Sequence, residues 1–165
     1  GCKMKKLLLL MLAMVMLLSG CGMKKEAAAG GLTCTLSISC ANLVDSDVLA
    51  EAKRPLVPDS GWLLEPVECS FEEGESVFDV LSRVVRENKI HMEFVETPAY
   101  NSVYIEGIGN LYEFDGGPQS GWMYCVNGEF PNYGCSTVKL KDGDVVEWVY
   151  TLDLGNDVGG SMAGK

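Results

Sequence analysis

Glu75-Ser76-Val77-Phe78-Asp79-Val80-Leu81-Ser82-Arg83-Val84-Val85-Arg86-Glu87-Asn88 sets the fold class of this chain. Val77, Phe78, Leu81, Val84 and Val85 recur at i, i+1, i+4, i+7 and i+8, which places them along one face of an α-helix. Ser76, followed three residues later by Asp79, makes a start like a capping box, and Asn88 suits the end. Arg83 and Glu87 have the spacing of a surface pair. The pattern predicts one main helix over about 76–88.

On either side of that helix the period changes from 3.6 to two. Upstream, Leu32, Cys34, Leu36, Ile38 and Cys40 alternate with Thr33, Thr35, Ser37 and Ser39, the pattern of a half-buried strand. Val67, Cys69 and Phe71 alternate in the same way. Asn42 to Gly61, with Pro55 and Pro58, reads as a loop holding at most one helical turn around Val48 to Ala52. Downstream, strands are predicted at Ile90 to Phe94, at Val103 and Ile105, at Trp122 to Val126, and at Val146 to Leu152. Asn127-Gly128 is a tight-turn dipeptide. Val138 and Leu140 lead into Asp142-Gly143, a second hairpin signal, and the glycine-rich tail from Gly155 is expected to fray. Strands, a helix and more strands make an α+β domain, with one helix covering a mixed or antiparallel sheet; a β-grasp-like arrangement fits.

The amino terminus points to export. Lys3, Lys5 and Lys6 precede an apolar run from Leu7 to Leu18, which ends in Leu18-Ser19-Gly20-Cys21. The run is shorter than the ~20 residues a spanning helix needs, and the order is that of a bacterial lipoprotein signal. The expectation is a signal peptide over residues 1–20, a lipid-bearing Cys21 and a flexible tether over 21–31. A folded domain over 32–159 and a disordered tail over 160–165 follow. Lipid on Cys21 would hold the protein to the outer face of the cytoplasmic membrane.

Three of the 13 Lys and Arg lie ahead of Cys21 and all 23 Asp and Glu behind it, so the exported part carries a charge of about −13. Such a surface repels nucleic acid and anionic headgroups, and it keeps an exported protein soluble. Apart from Cys2 and Cys21, the cysteines are Cys34, Cys40, Cys69, Cys125 and Cys135, an odd set that cannot pair completely within one chain. An exported location permits disulfides, but spacing does not choose among them. There is no Cys-x-x-Cys pair and only one histidine, so the residues offer no zinc site.

Hydrolytic machinery is missing as well. Gly117-Pro118-Gln119-Ser120-Gly121 lacks the spacing of a nucleophile elbow, and His91 reads as a surface strand residue beside Glu93. A thiol enzyme would need a reduced cysteine paired with that histidine. Asp142-Gly143-Asp144 reads as a turn rather than a calcium loop, and Asp153, Asn156 and Asp157 as an acidic tail. The denser signal is aromatic: Tyr112, Phe114, Trp122, Tyr124, Phe130 and Tyr133 are interleaved with glycine, proline and asparagine. Rings beside amides suit a flat organic ligand or a partner surface. The candidate binding residues are Trp122, Tyr124, Asn127, Phe130, Asn132 and Tyr133; no catalytic or metal-binding residue is assigned.

Several segments together resemble a known family. They are Phe71-Glu72-Glu73-Gly74-Glu75-Ser76-Val77-Phe78-Asp79-Val80-Leu81, Tyr100-Asn101-Ser102-Val103-Tyr104-Ile105-Glu106-Gly107-Ile108 and Ser120-Gly121-Trp122-Met123-Tyr124-Cys125-Val126-Asn127-Gly128. Phe130 to Ser136 and Leu140 to Trp148 continue the likeness. The chain resembles the bacterial transcobalamin-like C-terminal domains, many of them exported and anchored in Gram-positive bacteria. The resemblance implies a β-grasp fold of the soluble-ligand-binding kind and a non-catalytic module that requires no cofactor. It also implies cobalamin or another corrinoid as the candidate ligand. In transcobalamin and intrinsic factor that ligand is clamped against a large α/α barrel, so a partner is expected to supply the other half of the cleft. The alternative is a surface adhesion or assembly module with a protein partner. Members of the family often carry cysteines where Gly116 and Leu152 stand here. Their absence makes Cys34, Cys69 and Cys125 read as local additions.

Overall fold

The computed structural model describes residues 31–160. The expected signal peptide, the lipid site at Cys21, all but the last residue of the tether, and the tail beyond Gly160 lie outside the described residues. The architecture is α+β: two sheets and one main helix, α1 (Val77–Glu87). Strands β1 (Leu32–Ser39), β2 (Trp62–Phe71), β6 (Gly121–Val126) and β7 (Val145–Thr151) form a mixed four-stranded sheet in the order β2-β1-β7-β6. Its central pair, β1 and β7, is parallel, and the outer pairs are antiparallel. A second sheet holds β3 (Met92–Thr97), β4 (Ser102–Ile108) and β5 (Leu111–Tyr112) in chain order, so the single sheet expected from the sequence is divided in two. Among the described residues no helix is long and apolar enough to cross a membrane.

The helix forms where the pattern placed it. The Ser76 hydroxyl accepts from Asp79 N (3.2 Å) and the Asp79 carboxylate accepts from Ser76 N (2.7 Å), which completes a reciprocal capping box. Such a cap is worth about 0.5–2 kcal/mol. The buried stripe is Val77, Val80, Leu81, Val84 and Val85. Phe78, expected on it, is half-buried and meets Phe94 edge-on, with ring centroids 4.9 Å apart. Arg83 does not pair with Glu87. It donates to Glu75 Oε1 (2.6 Å) and to Ser70 O (2.8 Å), tying the end of β2 to the helix start. The α1 stripe and the even-numbered residues of β1 bury Leu36, Ile38, Val80, Leu81, Val146 and Tyr150 almost completely.

Four other segments differ from their sequence reading. The stretch read as a loop with at most one turn around Val48 to Ala52 holds two 3-10 helices, Ala41–Leu43 and Glu51–Leu56. Val138 to Leu140 joins no sheet strand. Instead Val77 N donates to Val138 O (3.0 Å) and Leu140 N to Glu75 O (3.0 Å), so this segment braces the helix start. Asp142-Gly143 is not a hairpin turn between neighbouring strands but docks on β1. Thr33 N donates to Asp142 Oδ1 (2.8 Å) and Gly143 N to Thr33 O (2.7 Å). The tail does not fray at Gly155. The Asp157 carboxylate accepts from Asn42 Nδ2 (2.8 Å), Leu152 N (2.8 Å) and the Thr151 hydroxyl, and Gly160 N donates to Gly155 O (2.8 Å). Of the acidic-tail residues Asp153, Asn156 and Asp157, the last thus spends its carboxylate within the fold.

Candidate ligand-binding cleft

The cleft is built where the two sheets meet. β6 is an edge strand of the four-stranded sheet, and its neighbour across the gap is β4 of the other sheet. Asn127 (φ 53°) and Gly128 (φ 79°) make a two-residue turn in which Val126 and Glu129 exchange backbone bonds (2.9 and 3.1 Å). Positive φ at both central residues is what the Asn-Gly pair supplies. The chain then returns over β4 as residues 130–136. Val103 N donates to Ser136 Oγ (3.0 Å) and Phe78 N to Cys135 O (3.0 Å), so this loop is fastened to β4 and to α1. Gly134 fits close against β4, where a Cβ would stand 1.4 Å from Ser102 Oγ. Gly160 packs under the loop, with its Cβ position 2.6 Å from the Phe130 ring.

Between β4, β6, β7 and the loop lies a cleft of about 290 Å³. Six aromatic residues line it: Tyr104, Trp122, Tyr124, Phe130, Tyr133 and Trp148. Among the described residues, no Asp, Glu, Lys, Arg or His belongs to its lining. The Tyr124 and Trp148 rings stack with centroids 5.2 Å apart and planes 29° from parallel. The Tyr124 hydroxyl donates to Tyr133 O (2.6 Å), which pins the loop, and burial raises its pKa well above the ordinary tyrosine value. Trp122 is buried, its Nε1 donating to Leu111 O (2.8 Å) and its ring set edge-on to Tyr150. Tyr133 is 73% exposed at the rim.

One atom of this lining is left over. The Trp148 side chain is almost completely buried, yet its indole Nε1–H has no acceptor among the described residues. An unmatched buried donor costs about 1–3 kcal/mol. The N–H is itself shielded from solvent, so it is an unpaired donor of the interior rather than one presented to the cleft.

Of the six residues singled out from the sequence, the fold gathers Trp122, Tyr124, Phe130, Asn132 and Tyr133 around this cleft. Asn127 stands apart. Its Nδ2 donates to Asp144 Oδ1 (2.9 Å) and its Oδ1 accepts from Val145 N (2.9 Å), so both ends of the amide are spent on holding β7. Tyr104, Cys135 and Trp148 also line the cleft and were missed. Trp148 was visible only as an inward residue of the last strand, and nothing in its spacing distinguished a cleft wall from core.

The remaining candidates do not assemble into catalytic machinery. His91 Nε2 lies 3.0 Å from Glu93 Oε1 at the surface. Burial is the first cause that pushes the Cys125 thiol up to about 11 and Cys135 up to about 12, whereas a nucleophilic cysteine needs its thiolate stabilised. Among the described residues, no three His, Cys, Asp or Glu gather as a metal-binding group. Gly116 and Leu152 lie close together: a Cβ on Gly116 would stand 2.5 Å from Leu152 Cδ2.

Residues 74–151 match the family described as Domain of unknown function (DUF4430). No curated protein sequence matches the chain. Among solved structures, haptocorrin in complex with Cbi is similar at a TM-score of 0.55 and 14% identity, over 78% of this chain and 27% of that one. A Ruminococcus gnavus ATCC 29149 protein described as a "putative metal binding protein" aligns at a TM-score of 0.43 and 16% identity, over 73% of this chain and 96% of its own. The chain thus spans about a quarter of the haptocorrin chain, and what the two share is a fold.

Proposed function

We propose that this chain is a non-catalytic ligand-binding module that holds a flat organic molecule in the aromatic cleft, with cobalamin or another corrinoid as its first candidate. The observation that carries the reading is a cleft lined by six aromatic residues with no charged side chain in its lining. The mixed sheet, with its β1–β2 hairpin, crossing helix and parallel central pair, is read here as a β-grasp, and the fold shared with haptocorrin bound to Cbi supports a corrinoid as the first probe. At about 290 Å³ the cleft lies at the lower edge of the roughly 300–1,000 Å³ usual for small-molecule sites. A corrinoid would therefore rest one face against it, and a partner surface would cover the other.

In this reading the chain works outside the cell, exported by residues 1–20 and held to the membrane by lipid on Cys21. Replacing Cys21 with Ser should abolish incorporation of labelled fatty acid into the protein. Calorimetric titration of the folded chain with cobalamin tests the binding. Heat of binding together with a shift in the visible spectrum supports it, and neither signal at millimolar ligand refutes the stand-alone form. A second reading, a protein partner, is favoured by Tyr133 and by Tyr100, which is 81% exposed in the turn before β4. It predicts that a specific surface protein is retained by the chain and lost with Phe130→Ala and Tyr133→Ala.

A further inference from the structure

β1 and β2 place two of the five domain cysteines face to face. Cys34 is the register partner of Cys69 in the antiparallel ladder, so both side chains stand on one face of the sheet. Thr33 spends both its backbone groups, and Thr35 its N–H, on the 142–144 turn. Cys34 therefore turns its own N–H and C=O toward β2, and the two cysteines form a hydrogen-bonded pair, with Cα atoms about 5.5 Å apart. That separation lies inside the disulfide range of about 4.4–6.8 Å. The other thiols have different neighbours: Cys125 Sγ donates to Glu147 Oε2 (3.4 Å), Cys135 Sγ to Val103 O (3.7 Å), and Cys40 is buried at the corner after β1.

We infer that Cys34 and Cys69 are a redox-active pair that closes a cross-strand disulfide between β1 and β2, with Cys69 as the attacking thiol and Cys34 as its resolving partner. The roles follow from access and charge. Cys69 is half-buried, whereas Cys34 is 2% exposed. The Cys34 thiol beside it is the first influence holding the Cys69 pKa below the ordinary value; burial opposes this and the Arg83 guanidinium adds to it. Cys34 is pushed up, first by Cys69 and then by burial. The more accessible of two neighbouring thiols, with the lower pKa, is the one placed to react first.

The oxidant is a low-molecular-weight disulfide, R–S–S–R. The Cys69 thiolate attacks one of its sulfurs, forms the Cys69–S–S–R bond and expels RS⁻. Cys34 passes its proton to that RS⁻, attacks Cys69 Sγ and expels the second RS⁻, which takes a proton from solvent. The protein loses two electrons and two protons in all, and the external disulfide becomes two thiols. The inference is independent of what the aromatic cleft binds.

The test is to reduce the full-length protein, expose it to oxidised glutathione under native conditions, block the remaining thiols and map the unreduced peptides by tandem mass spectrometry. The expected result is the loss of two domain thiols and a linked pair of peptides whose fragments locate the bond at Cys34 and Cys69. Cys40→Ser should leave the link in place, because Cys40 shares a tryptic peptide with Cys34 and must be separated from it. Cys34→Ser should stop the reaction at a glutathione adduct on Cys69. A bond joining any other pair, a stable adduct on Cys69 of the unsubstituted protein, or five unreacted domain thiols in folded protein would each overturn the inference. The wild-type map decides the question even where a serine variant fails to fold.

Discussion

Replacing Tyr150 with Phe removes a single oxygen from the centre of the molecule. That hydroxyl donates to Tyr112 O (2.6 Å), accepts from Gly116 N (3.1 Å) and lies 3.1 Å from Ser120 Oγ, on a residue 1% exposed. Two of its partners keep a second bond: Gly116 N also donates to Ser120 Oγ (3.0 Å), and Tyr112 O also accepts from Asp115 N (3.2 Å). The variant therefore weakens the network without orphaning a backbone group. The expected loss is about 2 kcal/mol, from hydrogen bonds worth roughly 1 kcal/mol each. The phenyl ring remains edge-on to Trp122, so apolar packing changes little. In urea, with a slope of about 1–3 kcal/mol per M, the midpoint should fall by roughly 1 M while the slope stays constant. Tyr133→Phe, altering a ring that is 73% exposed, serves as the control and should leave the midpoint unchanged. A loss under about 0.5 kcal/mol for Tyr150→Phe would refute the claim that this hydroxyl holds residues 112–120 against β7.

Other perturbations follow from the same contacts. Ser76→Ala deletes the helix cap and should cost about 1–2 kcal/mol, read as a lower thermal midpoint; an unchanged midpoint would contradict the capping box. Gly134→Ala drives a Cβ into Ser102 Oγ and should destabilise the cleft loop, and adding Ser102→Gly should restore part of the loss. If the second change brings no rescue, the clash is not the cause. For pH, Arg83 is the first cause that holds Glu75 below its usual 4.5, while hydrogen bonds from Ser76 outweigh burial and hold Asp79 below 3.8. The unfolded chain takes up protons before the folded one does, so this stabilisation is full at neutral pH and is lost as pH falls from about 5 through the folded values. The stability gap between the wild type and Asp79→Asn should therefore shrink below about pH 4, and a gap that widens there would reverse the sign of the argument.

The helix was legible because Ser76, Asp79 and the Val77-to-Val85 stripe act within a few residues of one another, and local interactions are what a sequence displays. The Asn127-Gly128 turn was legible for the same reason. The role of Asn127 was not, because its amide partners, Asp144 and Val145, arrive from a distant part of the chain. Asp142-Gly143 carried a true turn signal, yet the signal says only that the chain reverses. The docking of that turn on Thr33 is a tertiary event. Gly155 to Gly160 looked free because glycines disfavour order on their own, and the Asp157 carboxylate that fixes the segment draws on Asn42 and Thr151. At the cleft, the aromatic cluster of 122–133 was visible as composition. Its far wall, Tyr104 and Trp148, came from strands whose alternation announced burial and nothing more.

The cleft presents six aromatic residues with no charged residue in its lining. Such rings stabilise an apolar ligand face by area and stacking. Tyr124 contributes twice, because its ring extends the Trp148 stack and its hydroxyl holds the Tyr133 backbone.

The chain has three tryptophans, Trp62, Trp122 and Trp148, and each indole N–H gives its own proton resonance. Titrating the nitrogen-15-labelled protein with diamagnetic cobalamin should displace the Trp148 indole signal most, move that of Trp122 less and leave Trp62 in place. Three unmoved indole signals at millimolar cobalamin, or displacement of Trp62 alone, would contradict binding in this cleft.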